Sequence, residues 1–133
     1  LECIAAGNTD GGVDSKSGEL TIERMVALDN KRNYRLWGDT IIKESFSLSP
    51  YKRGGSGDSI HIGVYNENVN LIEVFDMSFM QSNASNPLSE EGFLGILRIN
   101  NGTFHSTDSS ALKNRLNGYN WLELNDPIFT TQN

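Results

Sequence analysis

Short stretches of apolar–polar alternation run along most of this chain, the period-two signature of half-buried β-strands. Between residues 59 and 65, Ile60, Ile62 and Val64 fall on one side and Ser59, His61 and Tyr65 on the other. After the turn signal Asn66-Glu67-Asn68, residues 69–77 put Val69, Leu71, Phe75 and Met77 on one face and Ile72 and Val74 on the opposite one. A strand apolar on both faces belongs in the middle of a sheet, so the pattern predicts a hairpin with a central second strand. A second hairpin is predicted where FLGILRIN meets TFHST, because Asn101-Gly102 is a strong two-residue hairpin signal. Tyr34 and Leu36 share a face ahead of Gly38-Asp39, TIIKESFSLS aligns Ile42, Phe46 and Leu48, and YNWLEL reads as a last strand.

Other periods are rarer. Asp108-Ser109-Ser110 caps a short helix near 109–117, which Asn117-Gly118 ends. Residues 19–29 fit a helix through Ile22, Met25 and Val26, and equally a strand with a one-residue bulge; the strand is the preferred reading. Residues 1–18 read as an irregular arm, 50–58 as a Gly-rich loop and 78–92 as a long loop, and no internal repeat stands out. The sum is a mainly β single domain over 1–133, an antiparallel β-sandwich or strongly bent sheet of roughly seven strands with one short helix.

Composition narrows the partners more than the fold. A net charge of −6 opposes binding to nucleic acid, which needs Lys and Arg to displace counterions, and opposes adsorption to anionic membranes. It favours encounter with a basic protein, although solubility alone accounts for such a charge. No apolar run approaches the ~20 residues of a membrane span, and no basic-then-apolar leader opens the chain. The first residue is Leu1 rather than Met, so a processed fragment is expected. Abundant Asn, Ser, Gly and Thr lean towards an extracytoplasmic location, periplasmic or secreted.

Candidate chemistry is sparse, with 2 His and 1 Cys in 133 residues. Cys3 has no intramolecular partner, so it is a packing residue or a free thiol. Two sequons, at Asn83 and Asn101, are expected by chance in so Asn-rich a chain. Asn8 to Glu19 has the outline of an EF-hand loop, but Val13 stands where the sharp turn needs Gly, and no helices flank it. Lys52 to Asp58 could cradle an anion with backbone N–H groups, yet it lacks the spacing and the following helix of a phosphate loop. His61 and His105 would form an acid–base pair only if their strands were neighbours; two structural histidines are the simpler reading. No Gly-x-Ser-x-Gly elbow is present, and Glu90-Glu91 is the kind of carboxylate pair that is usually solvated. Glu73, between Leu71 and Phe75, needs a partner, for which Arg98 or Arg24 is placed. Tyr34, Trp37, Tyr51, Tyr65, Tyr119 and Trp121 are core residues by default and a binding face if exposed.

No catalytic set, metal site or cofactor is implied. The expectation is a small acidic protein that binds another protein, as an inhibitor or a toxin-immunity protein does, by covering part of a basic partner. Tyr51, Lys52, Arg53, Asp58, Trp37, Glu90 and Glu91 are the candidate contact residues. A carbohydrate-binding or adhesin-like module is the alternative, followed by a small hydrolase or nuclease using His61 and His105. Oligomeric state is open.

Overall fold

Among the described residues every strand pairs in parallel, and the chain visits three sheets in rotation. The structure is a computed structural model, and it describes residues 3–16, 18–51, 60–80 and 87–131. The first coil is β1 (Cys3–Ala6), β2 (Gly11–Ser15) and β3 (Leu20–Glu23); the second is β4 (Met25–Leu28), β5 (Arg32–Leu36) and β6 (Thr40–Lys43). The third is β7 (Phe46–Leu48), β8 (Ile60–Val64) and β9 (Leu71–Phe75); the fourth is β10 (Ser78–Met80), β11 (Leu88–Glu90) and β12 (Ile96–Asn100). β13 (Thr103–Ser106), α1 (Ser109–Asn117) and β14 (Leu122–Asn125) follow, and β15 (Ile128–Thr131) opens a further turn. Sheet A is β1-β4-β7-β10-β13-β15, sheet B is β11-β8-β5-β2, and sheet C is β14-β12-β9-β6-β3. The result is a three-sided parallel β-solenoid, in which each coil stacks on the next.

This overturns the expected antiparallel sandwich or bent sheet. Some strands lie where alternation placed them, β5, β8, β9, β12 and β13 among them, but the described residues hold fifteen rather than roughly seven, and neither hairpin exists: β8 pairs with β5 and β11, and β9 with β6 and β12. Asn101 has φ of 56° while Gly102 stays out of the positive-φ region. A two-residue type I′ hairpin turn needs both central residues at positive φ; one alone turns the chain through a corner instead. Arg24, Glu44, Asp76, Asn101 and Asp126 all have positive φ, and each stands between a sheet C strand and the following sheet A strand. Their N–H groups stack in the coil direction, from Arg24 to the Lys43 carbonyl, Glu44 to Phe75, Asp76 to Asn100 and Asn101 to Asn125. TIIKESFSLS is therefore two strands in two sheets, bent at Glu44, and the supposed bulge in 19–29 is the corner at Arg24. The arm expected over 1–18 carries β1 and β2, and the loop expected over 78–92 carries β10 and β11.

Register fixes the core. In sheet A the inward row is Ala5, Ala27, Ser47, Phe79, Phe104 and Phe129. Its aromatic half stacks, with Phe79 and Phe104 centroids 4.9 Å apart and Phe104 and Phe129 5.2 Å apart. Its small half faces bulk from sheet B, where Tyr34 is fully buried and its hydroxyl reaches the Phe46 carbonyl at 3.0 Å. Large opposite small keeps the cross-section filled. Sheet C contributes the rows Leu20, Thr40, Ile72, Leu97, Leu122 and Ile22, Ile42, Val74, Ile99, Leu124. In the fifth coil α1 comes where a sheet B strand would, and it buries Leu112 and Leu116 against the core. The Asp108 carboxylate accepts the Ala111 N–H at 3.0 Å, as the sequence predicted for this helix start.

Candidate functional site

The three outer faces differ sharply in chemistry. Sheet C carries an ion-pair ladder: Arg98 lies 3.3 Å from Glu73 and 3.4 Å from Glu123, which are its register partners on β9 and β14. The partner expected for Glu73 is thus found, and its hydrogen bonds to Glu73 and then Glu123 push the Arg98 pKa up. Sheet B carries a denser network. Asp10 lies 2.8 Å from both Arg32 and Arg35, and Asp14 accepts the Trp37 indole N–H at 3.0 Å. Arg35 also sits 5.1 Å from the Trp37 ring and 5.4 Å from Tyr65. Gly63 permits this, since a Cβ there would meet the Tyr65 hydroxyl at 2.3 Å and its ring at 2.6 Å. The EF-hand outline dissolves here, because residues 11–15 are strand β2 and Asp10 and Asp14 serve arginines. Among the described residues no group of His, Cys, Asp and Glu is placed to hold a metal ion.

Sheet A is the exception. Its six strands, CIAA, MVAL, FSL, SFM, TFHS and IFTT, contain no Asp, Glu, Lys or Arg. Two rows point outward: Ile4, Val26, Phe46, Ser78, Thr103, Ile128, and Ala6, Leu28, Leu48, Met80, His105, Thr130. Ile4 is 75% exposed, Ile128 55%, Phe46 45% and Leu28 37%. A shallow groove lined by Cys3, Ile4, Arg24, Val26, Glu44 and Phe46 crosses the first three strands, and Cys3 is free and exposed. One border of this face is the corner stack with Glu44, Asp76 and Asp126, and Asp29 stands on the other. Arg24 is the basic member of the first border, and it lies 3.9 Å from Glu44.

The residues singled out from sequence are scattered. Tyr51 is 50% exposed just after β7, with its N–H bonded to the Asn30 carbonyl, so it flanks sheet A. Lys52, Arg53 and Asp58 lie outside the described residues, as does the Asn83 sequon. Trp37 and Glu91 meet on one corner stack between sheets B and C, with Tyr65 between them, through Tyr65 N–H to Leu36 O and Glu91 N–H to Val64 O. Glu90 is exposed at the end of β11, where its carboxylate accepts the Phe93 N–H at 3.0 Å. The sheet A residues were missed because nothing local in the chain aligns strands 20 to 32 positions apart.

The two histidines do not meet. His105 is in an outer row of sheet A and bonds Thr130. His61 is buried in the core, edge-on to Phe79 with centroids 5.5 Å apart. It ends a directional chain of buried polar groups. Asn8 N–H and Nδ2 donate to Asn30 Oδ1 at 2.9 and 2.8 Å, and Asn30 Nδ2 donates to Asn33 Oδ1 at 3.0 Å. Asn33 Nδ2 donates to Ser47 Oγ at 2.9 Å, and Ser47 Oγ lies 2.6 Å from His61 Nδ1. The Ser47 hydroxyl can give its proton to Nδ1 or accept one from it, according to the tautomer of the ring. Burial pushes the His61 pKa down to about 3, so the ring is neutral and serves the core. No protein-family model, curated protein or solved structure matches this chain.

Proposed function

We propose that this chain is a noncatalytic protein-binding module, inhibitor- or immunity-like, which covers a basic partner with the outer face of sheet A. The observation that carries the reading is the coincidence of a charge-free six-stranded face with exposed Ile4, Leu28, Phe46 and Ile128. Contiguous exposed apolar surface on a soluble fold marks a docking site. The carboxylates along its borders supply the polar rim, and they select the occupant. A second copy would bring acidic borders together in a chain of charge −6, whereas a partner with Lys and Arg around an apolar centre is complementary. A sheet whose strands are already paired needs little backbone ordering on binding, which limits the entropic cost.

The test uses two baits, the wild type and Phe46→Asp, each exposed to native extract at low and high salt, with the captured protein then purified and titrated against both. The expected result is one stoichiometric basic protein whose dissociation constant rises at least about tenfold with Phe46→Asp and rises again with salt. A partner bound equally by both baits, or none at all, overturns the reading.

A further inference from the structure

A second site lies away from sheet A, at the corner between sheets B and C. There the residues after β2, β5 and β8 leave a cavity of about 300 Å³ lined by Lys16, Glu19, Trp37, Asp39, Asn66 and Asn68, together with Gly18 and Gly38. A second cavity of about 340 Å³ adjoins it over the outer face of sheet C, bordered by Thr21, Ile41, Leu71 and Glu73. Glu19 and Asp39 line both, so the two halves of the groove adjoin across this pair of carboxylates. Each half is at the small end of ligand pockets, which suits a chain of small rings better than one bulky group.

The groove is built on a fixed frame. Asp39 Oδ1 accepts the Asn70 and Leu71 N–H groups at 2.7 and 3.3 Å, which ties the second coil to the third at the groove wall. Leu20 N–H donates to the Asp39 carbonyl at 3.0 Å and ties the first coil on as well. Asn66 Nδ2 donates to the Trp37 carbonyl at 3.1 Å, and its Oδ1 accepts the Asn68 N–H at 3.0 Å. Trp37 is held by Asp14 and Arg35 on the sheet B side. An indole, two amides and carboxylates therefore converge from three successive coils without needing to move.

This donor set recognises a particular chemistry. An indole supplies a face for the C–H groups of a sugar ring, while amides and carboxylates take its hydroxyls. Glu19 and Asp39 between the compartments disfavour uronates, sulfates and phosphates. An indole beside carboxylates attracts an ammonium group. Lys16 already shows this preference, since its Nζ rests 5.6 Å from the Trp37 ring. We infer that the Trp37–Asp39 groove binds an amine-bearing oligosaccharide, a short run of hexosamine rings whose ammonium takes the place of the Lys16 side chain.

The experiment titrates the wild-type chain with a glucosamine tetramer, an N-acetylglucosamine tetramer and a galacturonate tetramer, by calorimetry and by Trp fluorescence. The glucosamine tetramer is expected to bind most tightly and the galacturonate not at all. Lys16→Ala, which removes an exposed competing cation, should tighten glucosamine binding about threefold or more, while Trp37→Phe and Glu19→Gln should each weaken it by about tenfold. Asp39→Asn keeps the acceptor for Asn70 and should fold normally yet lose affinity. No binding of any tetramer, equal binding of the galacturonate, or a glucosamine affinity unmoved by Lys16→Ala and Glu19→Gln overturns the proposal. The sheet A variant Phe46→Asp should leave this titration unchanged, so the two sites fail or hold separately.

Discussion

His61→Leu should gain stability relative to the wild type as the pH falls from neutral to acidic. In the folded chain the imidazole takes a proton only near pH 3, because burial penalises the cation; in the unfolded chain it does so near 6.5. Between those values the unfolded state binds the extra proton. Stability therefore rises with pH through the window and is lost as pH falls through it. At about 1.4 kcal/mol per pH unit once the unfolded ring is mostly protonated, lowering the pH from 7.5 to 4.5 removes about 2.7 kcal/mol through this one side chain. Charging the ring would also make Nδ1 a donor, so the Ser47 Oγ at 2.6 Å, which already accepts from Asn33, would have to accept a second bond and turn its own proton elsewhere.

At pH 7.5 the leucine variant loses the Ser47 hydrogen bond, worth about 1 kcal/mol. Against that, it removes the buried Nε2, which has no hydrogen-bond partner. A difference within about 1 kcal/mol is therefore expected at neutral pH, with the variant ahead by about 2 kcal/mol at pH 4.5. Urea unfolding of both proteins from pH 7.5 to 4.5 measures this. Carboxylates and His105 are common to both, so they cancel in the difference curve. Parallel stability curves would refute the reasoning, and so would an NMR titration of the folded His61 ring with its midpoint near 6.5.

Phe104→Ala breaks the aromatic row in the middle, between Phe79 at 4.9 Å and Phe129 at 5.2 Å, and should cost about 3–5 kcal/mol in urea unfolding. A loss below about 1 kcal/mol would mean that the stacked row does not hold the last coils together. Gly95→Ala places a Cβ 2.3 Å from the Asn70 carbonyl oxygen, which itself accepts the Ile96 N–H at 3.1 Å. The backbone must shift, so a loss of about 1–3 kcal/mol is expected, and a thermal midpoint equal to the wild type would contradict the close approach.

Strand positions were legible because alternation is local: Ile60, Ile62 and Val64 face one way wherever β8 goes. Pairing was not legible, since a parallel neighbour needs a long crossover, and here the crossover is the other two strands of the coil. A two-strand pattern with a short polar link looks the same whether the link reverses the chain or bends it. At Asn101-Gly102 the difference lies in the φ of Gly102 alone, which a sequence with glycine there leaves free. The inward row of sheet A adds to the difficulty. It changes from Ala and Ser to Phe along the axis because Tyr34 and the Asn–Ser–His chain fill the early coils, so equivalent positions do not look alike.

A repeat is nonetheless written in the chain, in charge rather than in hydrophobicity. Glu44-Ser45-Phe46, Asp76-Met77-Ser78, Asn101-Gly102-Thr103 and Asp126-Pro127-Ile128 each set a polar corner residue two positions ahead of a strand without charge. Their uneven spacing hides them, because the other two sides of each coil accept loops and a helix of different length without disturbing sheet A. Surface strands in a soluble protein normally carry charge, and sheets B and C do. Keeping it off six successive strands while placing it at their borders is more than folding requires, since an outward row can be polar at almost no cost in stability. That excess is the physical reason for assigning binding to sheet A, while the corner groove at Trp37, built from residues on three coils, could be found only once the coils were stacked.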